Sequence, residues 1–193
     1  RRPELSARPQ AARFDLVELG PGDGSLAREL LRWVREASPP FFAALRYTGV
    51  EQSARLRAQV DEATSGLGDR TRVVADFSEL GQGASAAGIC GCIFANEFFD
   101  ALPVHILVWR RDRWRERKVG LKGEKLVWLE KDPSLPELSL QAELGFDASL
   151  PNDRPTGWVA EIRPLAGEWM KRIGTCLAQG EVLIVDYGYT LAE

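Results

Sequence analysis

The sequence predicts an α/β protein: a parallel sheet with helices on both faces, interrupted by a small antiparallel β insertion. Three observations carry this expectation. Through the first hundred residues, short apolar runs alternate with helical periodicity, the pattern of βαβ units. The run Ile89–Ala95 is almost continuously apolar, as expected of a strand covered on both faces. From Val104 onward the pattern changes to consecutive short strands with Gly and charged turns between them.

Phe14–Leu19 reads as a strand that runs directly into Gly20-Pro21-Gly22-Asp23-Gly24. Ser25–Glu36 has Leu26, Leu30, Leu31 and Val34 at amphipathic-helix spacing, and Ser38-Pro39-Pro40 is expected to stop it. Tyr47–Glu51 is a second strand and Ser53–Ala63 a helix, closed by Ser65–Gly68. Arg72–Asp76 is a third strand and Ile89–Ala95 a fourth. Val104–Trp109, Trp114–Val119 and Leu126–Leu129 form the antiparallel insertion. Asp132–Arg154 is rich in Pro, Ser and acids and predicts a loop with short helical pieces. The α/β pattern resumes with Trp158–Ile162, a helix over Leu165–Ala178 and the strand Glu181–Asp186. The expected organisation is therefore an α/β core over 1–103, an insertion over 104–156, and a return to the core over 157–193.

A chain of 193 residues, 45% hydrophobic and 27% charged, suits one domain with room for an inserted subdomain. The net charge of −3 gives no reason to expect nucleic acid. Arg110–Lys118 is a local charge run, expected to be the solvated tip and flank of a β-hairpin. Arginine outnumbers lysine 20 to 5. Arg1–Arg13 carries four arginines and two prolines, but Glu4 departs from the acid-poor pattern of a transit peptide, so a surface linker is expected. An arginine in place of an initiating methionine is expected of a chain that begins inside a longer protein. Cys90, Cys92 and Cys176 form no CxxC pair, which predicts a reducing compartment without disulfide or metal. The expected setting is a bacterial cytoplasm or, alternatively, the mitochondrial matrix. No apolar run approaches the ~18–20 residues a membrane span needs, so no membrane insertion is expected.

The strongest chemical signal is Val17-Glu18-Leu19-Gly20-Pro21-Gly22-Asp23-Gly24. A strand, a glycine-rich turn and a helix N-terminus build a ligand site at the carboxyl edge of a parallel sheet. Gly20, Gly22 and Gly24 allow close backbone approach, and the helix amides favour an anionic group. A GxGxxG dinucleotide fingerprint would need glycine where Ser25 stands. Glu18, two residues before the first glycine, is awkward beside a pyrophosphate but suits an ammonium, such as that of the methionine moiety of S-adenosylmethionine. Glu51 ends the second strand, where its carboxylate can hold both ribose hydroxyls; that placement does not separate this cofactor from a nicotinamide one. Asp76 and Phe77 follow the third strand. They read equally as an adenine contact or as a helix cap beside a core aromatic.

Asn96, Glu97 and Asp100 follow the fourth strand and are expected at the mouth of the same pocket. Carboxylates there suit a guanidinium acceptor, because they hold two N–H groups and localise the remaining lone pair. A structural reading, with Glu97 and Asp100 capping the next helix, stands beside it.

VELGPGDGSL (17–26), ANEFFDALPV (95–104), WRERKV (114–119), EIRP (161–164) and VDYGY (185–189) together resemble the MidA-type methyltransferases. That family includes a mitochondrial complex I assembly factor that methylates arginine. The resemblance implies a Rossmann-like class I methyltransferase fold, with S-adenosyl-L-methionine at Glu18, Gly20, Gly22 and Glu51 and the acceptor facing Asn96–Asp100. It further implies a protein substrate, such as a respiratory complex subunit, and a sheet whose last strands lie beyond this fragment. Asp23 stands where the family usually has a basic residue.

The expected function is thus S-adenosylmethionine-dependent methyl transfer, with protein arginine as acceptor. A cofactor-binding assembly scaffold and, less favoured, an NAD-dependent oxidoreductase are the rivals. His105, the single histidine, is read as packing or surface rather than as a general base. Glu161 and Asp186 are expected to end strands on one sheet edge, with Asp186 lining the pocket or Tyr187-Gly188-Tyr189 forming a packed turn. The six tryptophans are expected to pack in the core or the insertion.

Overall fold

The computed structural model describes residues 13–82, 88–111, 113–135 and 155–188. Most of the expected N-terminal linker, the expected loop beyond Leu135, and Tyr189 lie outside the described residues. In chain order the elements are β1 (Phe14–Leu19), α1 (Ser25–Ala37), α2 (Pro39–Ala44), β2 (Leu45–Val50), α3 (Ala54–Thr64), β3 (Thr71–Val74), β4 (Ile89–Asn96), β5 (His105–Arg110), β6 (Arg113–Lys122), β7 (Lys125–Lys131), β8 (Val159–Ile162), α4 (Pro164–Cys176) and β9 (Leu177–Val185). The chain divides into two units, Arg1–Ala101 with Met170–Glu193, and Leu102–Trp169.

Among the described residues, the first unit holds a five-stranded sheet in the order β3-β2-β1-β4-β9, with every neighbouring pair parallel. The chain steps outward from β1 to β3, then returns to the other side of β1 as β4. That reversal makes a topological switch point between β1 and β4, with a crevice beyond their carboxyl ends. Val17 and Leu19 of β1 are 2% and 0% exposed, as the central position requires. Helix α1 packs Ala27, Leu31 and Val34 into a cluster with Leu45, Tyr47, Val60 and Leu67. This stripe is offset from the predicted one, since Leu26 is exposed. Pro39 and Pro40 do more than stop α1. They form the first turn of α2, where a proline lacks only an N–H that would be unpaired anyway.

The second unit holds an antiparallel sheet in the order β7-β6-β5-β8. Here the structure departs from the predicted domain boundaries. The strand expected to resume the α/β core instead pairs antiparallel with β5, Ile106 opposite Glu161 and Leu107 opposite Ala160. The first unit resumes only within α4, at Met170. A four-residue strand carries no mark of which sheet it will join, and its pairing is fixed by distant partners. Glu161 and Asp186 therefore belong to different sheets, contrary to expectation. The β5–β6 hairpin turns at Arg111, φ 56°, within the predicted charge run. Trp114 packs against Trp109 and Trp158, with ring centroids 5.1 and 5.7 Å away. Trp33 and Trp128, expected to be packed, are exposed. Among the described residues no helix is long and apolar enough to cross a membrane.

Candidate active site

The loop after β1 begins where Gly20 N–H donates to Val50 O, and it closes where Gly24 N–H donates to Pro21 O. Gly20, Gly22 and Gly24 all have positive φ, at 66°, 58° and 76°, which L side chains rarely adopt. What a Cβ would meet distinguishes them. At Gly24 it would lie 2.9 Å from the Val60 Cα, so this glycine lets α3 approach the start of α1. At Gly20 it would lie 2.9 Å from Cδ2 of Phe98, whose ring covers the loop. At Gly22 it would meet nothing within 4 Å, so this position faces open space. Of the three, Gly22 is the one whose missing side chain leaves room for a ligand. Asp23 accepts from Ser25 N–H at 2.9 Å, and that bond holds its carboxyl below the usual range.

Glu18, at 5% exposure, is buried at the end of β1. The Tyr47 hydroxyl donates to its Oε2 at 2.7 Å. Glu18 stands opposite Gly49 in the β1–β2 register, and a Cβ on Gly49 would lie 3.2 Å from the Tyr47 hydroxyl. The glycine therefore leaves space for the tyrosine to reach across. Burial pushes the Glu18 pKa up, partly offset by the Tyr47 bond. Burial and the adjacent Glu18 carboxylate push the Tyr47 phenol far above its usual range, which keeps it a donor. Tyr47 was not singled out from the sequence. An aromatic residue in a strand gives no sign that its hydroxyl meets a carboxylate 29 positions away.

Glu51 follows β2, and its Oε1 accepts from Ser53 N–H at 2.8 Å. Ser53 in turn caps α3. Asp76 Oδ1 accepts from Ser78 N–H at 2.8 Å, capping the short 3₁₀ turn that Phe77 begins. Phe77 itself is only 2% exposed. Of the two readings of this pair, the structure favours the cap beside a core aromatic. The Phe77 ring is enclosed by protein, not presented to the crevice.

Asn96 ends β4 opposite Val185 of β9, and the next residue adds one more rung, Glu97 N–H to Val185 O at 2.8 Å. Glu97 then turns the chain with φ 48°, a left-handed conformation in a residue with a full side chain. Glu97 and Asp100 are exposed. Neither caps a regular helix, since no helix begins in this segment. Asp186 Oδ2 accepts from both Phe99 N–H and Asp100 N–H, each at 3.1 Å. Tyr187 is 76% exposed, so the expected packed turn is not formed there. Its phenol pKa is raised by a hydrogen bond to Glu97, with smaller contributions from the charges of Asp100 and Asp186.

In the second unit, His105 Nδ1 lies 2.9 Å from Glu116 Oε1, and Ser134 N–H donates to Glu116 Oε2 at 2.6 Å. Burial alone would raise the Glu116 pKa. The bonds from Ser134 and His105, with Lys118 nearby, outweigh it and bring the carboxyl down to about 2. His105 thus joins a structural network, as its packing reading expects.

A parallel sheet with its switch point at a glycine loop and a buried acid before it defines the nucleotide-cofactor class of α/β folds. Two solved structures from Burkholderia thailandensis share the fold at 24% identity. One has a TM-score of 0.69 and the other, bound to S-adenosyl-homocysteine, 0.66; each alignment covers 93% of this chain and 45% or 43% of that one. Residues 4–193 match the S-adenosyl-L-methionine-dependent methyltransferase family, and the chain belongs to that family. Among curated proteins, it is 29% identical to the mitochondrial protein arginine methyltransferase NDUFAF7 of Xenopus laevis over 95% of its length. It is 28% identical to the Drosophila melanogaster homolog over 91%. The chain spans 44% and 43% of those relatives.

Proposed function

We propose that this protein transfers a methyl group from S-adenosylmethionine to an arginine of a protein substrate. The observation that carries the reading is the seating of Phe98 over Gly20, which brings the turn bearing Glu97 and Asp100 onto the loop after β1. The donor set fits the cofactor: a buried acid at Glu18, an open glycine at Gly22 and an acid at the end of the next strand, Glu51. When bound, the cofactor supplies a methyl group already activated on a sulfonium. Glu18 would face the ammonium, and the Glu51 carboxylate would accept from the ribose hydroxyls. Gly22 lets the ligand approach the backbone. Asp76 remains a candidate for the adenine end. Glu97 and Asp100, with Asn96 beside them, hold the acceptor guanidinium by charge-assisted hydrogen bonds and take up its proton.

Arginine as acceptor rests on the curated relatives and on this pair of exposed acids. The relatives' mitochondrial setting supports the mitochondrial alternative, with a respiratory complex subunit as partner. The test is transfer of labelled methyl groups from the cofactor to candidate proteins by the full-length protein, followed by mass spectrometry of the product. Methylarginine is expected. Label on another residue type would overturn the acceptor assignment, and calorimetric binding of NAD but not S-adenosylmethionine would overturn the cofactor assignment.

A further inference from the structure

We propose that Asp186 is a positioning residue for the acceptor carboxylates, acting through the backbone of the 97–100 turn and not by touching the acceptor. This inference rests on the proposed reading of Glu97 and Asp100. Strands β4 and β9 leave the sheet side by side, Asn96 opposite Val185, so Glu97 and Asp186 emerge as neighbours. The chain after β4 must then turn sharply, and it does so at Glu97 in a left-handed conformation that costs a non-glycine residue energy. Something must offset that cost. The Asp186 carboxylate is placed to do so. Its Oδ2 accepts from the consecutive amides of Phe99 and Asp100, each at 3.1 Å, and its Oδ1 accepts from Tyr187 N–H at 2.9 Å. Three amides converge on one carboxylate, two of them on a single oxygen. Both oxygens thus accept from backbone amides. The Glu97 and Asp100 side chains, by contrast, are exposed.

The distinction from a third acceptor-binding acid is testable with two variants of the full-length protein. Asp186→Asn keeps one carbonyl oxygen for the Phe99 and Asp100 amides but removes the charge; Asp186→Ala removes both. Positioning predicts that the asparagine variant keeps kcat within about threefold of the parent, while the alanine variant loses roughly 10- to 100-fold, the range expected for a misplaced reacting group. The dissociation constant for S-adenosylmethionine should change less than about threefold in both. Adding Asp186→Ala to Glu97→Gln should cost less than the sum of the two separate losses, because Asp186 acts in part through Glu97. If the asparagine variant is as slow as the alanine variant, Asp186 binds the acceptor by charge and the inference is wrong. Fully additive losses would overturn it equally. Parent turnover in Glu97→Gln would defeat the underlying acceptor reading, whereas a slow Glu97→Gln beside a normal Asp186→Ala would defeat this inference alone.

Discussion

Two neighbouring strands of the parallel sheet, β1 and β4, end in left-handed backbone, and they reach it by opposite means. After β1 the left-handed positions are glycines, at 20, 22 and 24. After β4 the left-handed residue is Glu97, and the turn is braced by Asp186. Glycine is the cheap solution wherever backbone must approach something closely. A glutamate there carries strain of about 1–3 kcal/mol, a cost that a side chain needed at that spot would justify. On the proposed reading, the contrast separates a loop that works through its backbone from a turn that works through its side chains.

Exchanging the two devices is the sharpest way to break this comparison. Gly22→Val should weaken S-adenosylmethionine binding by more than about 100-fold, because a branched Cβ would fill the space kept for the ligand. The protein should still fold, since that Cβ meets no protein atom within 4 Å, but its melting temperature should fall by several degrees, because a β-branched residue at φ 58° is strained. A folded Gly22→Val protein that titrates normally in a calorimeter would remove the loop from the site.

On the other strand, Glu97→Gln should lower turnover by roughly 10²-fold while cofactor affinity stays within about threefold. Asp100→Asn should behave alike, and the double variant should be less than additive. Methyl transfer by Glu97→Gln at the parent rate would make the side chain dispensable and erase the contrast.

Glu51→Ala should cost about 1–3 kcal/mol of cofactor binding, the penalty for hydroxyls left without a charged acceptor. Unchanged affinity for the cofactor would show that the end of β2 plays no part in holding it.

A smaller effect concerns pH. Burial raises the Glu18 pKa, so its charged form, the one that faces an ammonium, is lost as pH falls through a value above 4.5. Affinity for S-adenosylmethionine should therefore decline on acidification, by up to about tenfold per pH unit below that midpoint. The stability linkage has the opposite sign: the folded state holds this proton more tightly than the unfolded chain, so the Glu18 contribution improves as pH falls. Tyr47→Phe deletes the bond that partly offsets burial, and the affinity midpoint should move to higher pH. An unmoved midpoint would mean that Glu18 does not face the ammonium.

Smallest is Glu97→Gly, which should raise stability by roughly 0.5–1 kcal/mol by relieving the left-handed strain while abolishing the gain from the carboxylate. Denaturant unfolding showing a less stable Glu97→Gly protein would mean that the turn is not strained.

Much of this was legible in the residues. The glycine spacing, the acid before it, and the apolar strand Ile89–Ala95 gave the α/β class and the place of the crevice. Such signals are local: they lie within a few residues of one another and follow from periodicity and backbone freedom. The place of Asn96, Glu97 and Asp100 at the end of the fourth strand was legible for the same reason, because they follow a readable strand directly. Tertiary structure alone decided the rest. It sent Val159–Ile162 into the antiparallel sheet, enclosed Phe77 in the core, and divided the glycines between packing at Gly24 and open space at Gly22. It also joined Tyr47 to Glu18 and Asp186 to the turn 86 and 87 positions before it. A strand's partner and a side chain's neighbour are set by which distant segments the sheet order brings together, and no local pattern of residues encodes that order.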